Sequence, residues 1–135
     1  IEIKEKLSIN LIFKNKGENY FRKIESSVVL QELKKKKSVI ALGGGAYLNK
    51  SVRINARKFS LSFWLDVSID ILIKRLSKTK KRPLLYKKNA SDTIKKIYLE
   101  RKKTYNEADF RIKCNFLTPN EIADKILELY EKSGN

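Results

Sequence analysis

With 135 residues, 41% of them hydrophobic, the chain can bury one domain-sized core, and no apolar run approaches the roughly 18 residues that cross a bilayer. A single cysteine, Cys114, and no histidine exclude an internal disulfide and a Cys/His zinc site and fit a reducing cytoplasm. The +16 charge is carried by 31 basic residues, mostly evenly spread lysine, and the densest run, Lys34 to Lys37, has no interleaved aromatics.

A solvated basic surface is therefore the better reading, and nucleic-acid binding the minority one. The opening Ile1-Glu2-Ile3-Lys4 has no apolar h-region, so no secretory signal is expected. The sequence has no methionine, and a chain that begins inside a longer protein is the simplest account of that.

In chain order, residues 18 to 36 read as a helix with Phe21, Ile24, Val28 and Leu33 along one stripe. Ser38 to Leu42 reads as a short apolar strand ended by Gly43-Gly44-Gly45. Leu61 to Val67 reads as a second strand, followed by a helix capped by Ser68 with Asp70 in its first turn. Residues 77 to 89 have no periodicity, are rich in lysine and contain Arg82-Pro83, which predicts an exposed loop. A helix from Asp92 to Glu107 and a strand from Phe110 to Cys114 follow. Thr118-Pro119-Asn120-Glu121 predicts a capping box opening the last helix, with Ile122, Ile126 and Leu129 or Tyr130 facing inward. The alternation of strand and helix is that of an α/β domain.

Four features are candidates for chemistry. Three glycines directly after a strand, Gly43 to Gly45, remove every Cβ where open α/β sheets bind ligands; a tight turn with positive φ is the bland alternative. Arg101 falls on the apolar stripe of its helix with Ile94, Tyr98 and Tyr105, so it must snorkel, pair with a carboxylate or face a cleft. Arg22 and Glu25 share a helix face; spacing alone favours a surface pair over an anchored ligand-binding arginine. Arg82-Pro83-Leu84-Leu85 could carry a guanidinium onto phosphate oxygens, although a solvated loop is the commoner meaning of such composition.

Taken together these segments resemble the shikimate kinases. Gly17-Glu18 through Phe21-Arg22 to Glu25 is similar to the family's G-E-x-x-F-R-x-x-E helix, and Val39 to Ala46 to its strand and triple-glycine turn. Trp64-Leu65-Asp66-Val67 resembles the next strand, and Arg82 to Leu85 the lid's R-P-L-L. Glu100-Arg101 through Tyr105 to Ala108-Asp109, then Leu117-Thr118-Pro119, resemble the closing helix, strand and helix.

The resemblance implies a P-loop NTPase fold of the nucleoside-monophosphate-kinase type, a three-layer α/β/α with a parallel sheet. Strands three to five would be supplied here and the first two would lie outside this sequence. One incomplete domain is expected: residues 1–37 as shikimate-binding helices, 38–76 as core strands and helix, 77–90 as lid, and 91–135 as core helices and last strand. The implied activity is transfer of the ATP γ-phosphoryl group to the 3-hydroxyl of shikimate, with ATP and Mg2+ as cofactors. Arg22 and Arg101 would hold the substrate carboxylate, with Glu25 orienting Arg22 and Gly43, Gly44 and Gly45 beside the ring hydroxyls. Arg82 would close on ATP phosphates and Arg75 would lie near the nucleotide. The family's Walker A loop and the Asp that precedes its I-E pair have no counterpart, so the chain as written is expected to be inactive, with no metal ligand of its own. Lys113 stands where the family commonly has Asp. A cytoplasmic monomer acting on a small molecule, with no membrane partner, is expected. The alternatives are a P-loop kinase of another hydroxy acid such as gluconate, and a non-catalytic binding protein of the same fold.

Overall fold

The computed structural model describes residues 1–76 and 90–134, which fall into two compact units, Ile1–Ser60 and Leu61–Asn135. The expected lid and Arg82 lie outside the described residues.

The first unit opens with α1 (Glu2–Glu5) and α2 (Ile9–Glu32). Two side chains satisfy amide N–H groups at the start of α2: Ser8 Oγ accepts from Leu11 (3.3 Å) and Glu2 Oε1 from Ile9 (2.8 Å). This helix starts well before the predicted residue 18, but it is broken at Gly17, whose φ of 78° and ψ of 172° lie in a region glycine alone adopts readily. Beyond the break Phe21, Ile24 and Leu33 of the predicted stripe are buried, but Val29 is buried in place of Val28, which is half-buried. Phe13 packs its ring 4.7 Å from that of Phe21. The helix stops at Glu32 rather than 36. The four lysines that follow are exposed, and Lys35 folds back to pair with Glu32 at 2.7 Å.

Residues 38–42 form no ladder with any described strand, and Val39 is fully exposed. The predicted strand is not realised because an apolar run becomes a strand only when a neighbour takes its N–H and C=O groups. Gly43 to Gly45 then turn the chain into a 3-10 segment (Ala46–Leu48), with Ala46 N–H donating to Gly43 C=O at 3.0 Å. Asn49 caps α3 (Lys50–Phe59) by accepting from Val52 N–H at 3.2 Å. Helix α2, the 3-10 segment and α3 pack on one another around Ile12, Tyr47, Val52 and Ala56.

The second unit holds two parallel strands, β1 (Phe63–Asp66) and β2 (Phe110–Lys113), in the register Phe63↔Phe110 to Asp66↔Lys113. The crossover between them runs through α4 (Ile69–Leu76) and α5 (Ala90–Tyr105), as parallel pairing requires. Both ends of the pair are tied by short polar side chains. Asp109 Oδ2 accepts from Ser62 N–H (2.8 Å) and Ser62 Oγ–H (2.6 Å), and Asn115 Oδ1 accepts from Ser68 N–H (2.8 Å). α6 (Pro119–Lys132) begins with the predicted capping box: Thr118 Oγ1 accepts from Glu121 N–H at 3.3 Å, and Glu121 Oε2 from Thr118 N–H at 2.7 Å. Hydrogen bonds from the backbone and side chain of Thr118 hold the Glu121 carboxyl below its ordinary range. Ile122, Ile126 and Leu129 are half-buried along this helix while Tyr130 is exposed, so Leu129 takes the third position of the stripe.

Candidate functional site

In the first unit, Arg22 stands one turn after the Gly17 break. Its Nη1 donates to Glu25 Oε2 at 2.6 Å, and its Nε and Nη2 both donate to Glu18 Oε1 at 3.2 and 3.1 Å. The two partners are unequal: the Glu25 side chain is 10% exposed and that of Glu18 is 56% exposed. Burial works against the charge on Arg22, but the hydrogen bonds and charges of Glu25 and Glu18 outweigh it and raise its affinity for the proton.

The glycine turn lies against this ion pair. A Cβ on Gly45 would stand 2.6 Å from Arg22 Cζ, and one on Gly43 would stand 3.2 Å from Glu25 Oε1. Neither glycine adopts a positive φ, so the tight-turn explanation fails for both. They are small because a guanidinium and a carboxylate lie directly on the backbone there. The structure thus brings together Arg22, Glu25, Gly43 and Gly45 and adds Glu18, which the i, i+4 spacing to Arg22 could have signalled.

Chemically the group is a guanidinium held in a fixed orientation by two carboxylates. A guanidinium carries five N–H donors in a planar fork, and three are taken up by Glu18 and Glu25. Two are not engaged by these carboxylates, and the buried Glu25 fixes the plane of the fork.

The second unit contains a polar cluster that the sequence reading did not single out. Asp66 is buried at the end of β1, where its Oδ2 accepts from Arg111 Nη2 (2.6 Å) and Nε (2.9 Å) and its Oδ1 from Tyr98 (3.2 Å). Arg111 lies over the Trp64 ring, 4.7 Å from its centroid, and Tyr105 meets the same indole edge-on. Burial, then the charge and hydrogen bond of Asp66, raise the Tyr98 hydroxyl above its usual range. The signal was available: Asp66 sits two residues after Trp64, on the same buried side of β1, and a carboxylate there demands a cation.

Tyr98 and Tyr105 show that the apolar stripe of α5 faces β1. Arg101, on that stripe, is half-buried and forms no ion pair among the described residues. Arg75 is exposed in the last turn of α4 and Lys113 is exposed on β2. Cys114 is buried with its thiol pushed up, by burial first and by the Asp66 charge second, which disfavours the thiolate. Among the described residues no three His, Cys, Asp or Glu side chains assemble into a group able to hold a metal ion.

Residues 1–131 match the family model described as shikimate kinase. The shikimate kinase of Thermodesulfovibrio yellowstonii is 37% identical over 129 residues, covering 96% of this chain and 75% of the relative. That of Bartonella henselae is 35% identical over 127 residues, covering 94% of this chain but 60% of the relative, so the chain spans less than two thirds of that protein. Among solved structures, the shikimate kinase of Acinetobacter baumannii in complex with shikimate superposes with a TM-score of 0.89 at 28% identity, covering 98% of this chain and 74% of that one. The Aquifex aeolicus enzyme gives a TM-score of 0.85 at 33% identity, covering 98% and 77%. The fold is therefore the P-loop kinase α/β fold expected from the motifs.

Proposed function

This chain belongs to the shikimate kinase family, and we propose that the protein transfers the γ-phosphoryl group of ATP to the 3-hydroxyl of shikimate, on the route to chorismate and the aromatic amino acids. The observation that carries this reading is the Arg22 guanidinium, laid on Gly45, braced by buried Glu25 and held on its outer edge only by exposed Glu18. A carboxylate offers two coplanar oxygens to such a fork, and shikimate carries one carboxylate on a compact polyol ring. Arg101 is assigned to the substrate carboxylate by its E-R motif and by its half-buried position without an ion pair among the described residues. Gly43, Gly44 and Gly45 are assigned to the ring side of the ligand.

In this reading ATP would supply the phosphoryl group and Mg2+ would screen its charge. Arg75, an exposed cation in the last turn of α4, has the chemistry to meet nucleotide phosphates. Arg82, which lies outside the described residues, is assigned to the same phosphates by the lid motif alone. No described residue is assigned to Mg2+. No described helix is long and apolar enough to cross a membrane, and a cytoplasmic site of action is part of the proposal.

The test is phosphoryl transfer by the full natural protein, with shikimate, its carboxamide and gluconate compared as acceptors. Shikimate should be preferred, and the carboxamide should lose on the order of a hundred-fold in kcat/KM. Preference for gluconate would overturn the choice of acceptor. Binding of shikimate without turnover would favour a non-catalytic member of the family.

A further inference from the structure

The two carboxylates on Arg22 invite different roles. Glu25 is buried, contacts the guanidinium through one short bond, and is wedged against Gly43. Glu18 is mostly in solvent and receives both Nε–H and Nη2–H on the single oxygen Oε1, at 3.2 and 3.1 Å. That edge of the guanidinium is the one a carboxylate spans best, one oxygen per N–H. Glu18 uses it with one oxygen shared between two donors, which is the weaker arrangement.

Glu18 is also the first residue after the Gly17 break, where nothing lies within 4 Å of the space a Cβ on Gly17 would fill. Its side chain can leave Arg22 without disturbing the buried stripe below, since Phe21, Ile24 and Glu25 carry that packing.

We propose that Glu18 is a displaceable stand-in for the substrate carboxylate. It holds the outer edge of Arg22 while the site is empty and is exchanged for the ligand's own carboxylate on binding, whereas Glu25 stays in place. The inference rests on the reading of Arg22 as the carboxylate site and adds a specificity element to it. An anion must outcompete an internal carboxylate at that edge, which favours ligands able to place two oxygens on it and disfavours monodentate anions.

The experiment is calorimetric titration of shikimate and of its carboxamide into the full natural protein and into its Glu18→Gln variant. Gln keeps the length and polarity of the side chain and removes only the competing charge. Exposed ion pairs of this kind are worth little, so shikimate should bind the variant about two- to five-fold more tightly than wild type. A merely structural Glu18 predicts the opposite sign, so unchanged or weaker binding overturns the inference. Glu18→Ala should shift affinity in the same direction as Gln, and a loss of binding there would likewise overturn it. The carboxamide keeps the two readings apart. If wild type prefers shikimate to the carboxamide, the Arg22 site stands whichever way the variants fall; if it does not discriminate, the site assignment fails and takes this inference with it.

Discussion

Arg22 with Glu25 and Arg111 with Asp66 are the same chemical pair set in two surroundings. In both, a carboxylate about nine-tenths buried holds a partly exposed guanidinium at 2.6 Å. Arg22 lies against bare glycine backbone and divides its donors between buried Glu25 and exposed Glu18. Arg111 lies over the Trp64 indole and directs two donors to one oxygen of Asp66, whose other oxygen is taken by Tyr98. A buried ion pair by itself therefore says little about function. The two cations differ in what they lie on, an indole face for Arg111 and bare glycine backbone for Arg22, and not in exposure, which is 42% and 36%.

The strongest way to break this contrast is Gly45→Ala. The new methyl would collide with Arg22 Cζ and push the fork off the turn, so kcat/KM for shikimate should fall on the order of a hundred-fold while the melting temperature changes little. Arg22→Lys should match it, since an ammonium keeps the charge and loses the fork. If both variants retain near wild-type kcat/KM, Arg22 is as structural as Arg111.

The second unit should respond in stability instead. Arg111→Ala leaves Asp66 buried with only Tyr98 as donor, and should cost about 2 kcal/mol in urea unfolding. Asp66→Asn should cost less, because the partly exposed Arg111 can turn to water. The reverse order would show that the guanidinium, not the carboxylate, is the group the fold shelters.

A smaller effect separates the two glycines of the turn. The Cβ of Gly43→Ala would stand 3.2 Å from Glu25 Oε1, a distance a few tenths of an ångström of side-chain movement relieves. A loss of roughly two- to five-fold in shikimate affinity is expected, measured by calorimetric titration of both glycine variants. An equal loss at both positions would mean that the turn, rather than the Arg22 contact, is what the ligand needs.

The smallest effect concerns the bend that carries Arg22. Lys16 donates to Glu5 Oε2 and to Tyr20 Oη, both at 3.0 Å, and Tyr20 donates to Glu5 Oε2 at 2.9 Å, so the three side chains bridge α1 and both sides of Gly17. Hydrogen bonds from Lys16 and then Tyr20 lower the Glu5 carboxyl below its ordinary range. A group depressed in the folded state contributes stability above its unfolded value and loses it as pH falls through the folded one. Acidification below the ordinary carboxylate range should therefore loosen α1 first, and Tyr20→Phe should weaken that dependence. Amide exchange across residues 1–20 measures both; identical pH profiles for the variant and wild type would remove the bridge from the account.

Much of this was legible locally. Thr118, Pro119 and Glu121 announced α6 because a capping box closes within one turn of chain. β1 and β2 were placed within a few residues by their apolar runs, and the stripe of α5 pointed inward as its spacing required. Residues 38–42 had the composition of a strand and did not become one, since composition cannot supply a ladder partner. The early start of α2 was missed because a helix interrupted by a φ of 78° has no continuous period to detect.

The sequence by itself determined the family, through motifs in a fixed order, and the elements whose signals lie within a turn or a strand. Tertiary structure alone decided which groups those elements bring face to face. Asp66 meets Arg111 across 45 residues of sequence, and Gly45 meets Arg22 across a helix end and a lysine run. Neither contact leaves a periodic trace, because packing brings distant chain segments together by shape and charge rather than by spacing. So the sequence could place an arginine and a glycine turn in the chain, but only the fold could show that one lies on the other and which N–H donors remain.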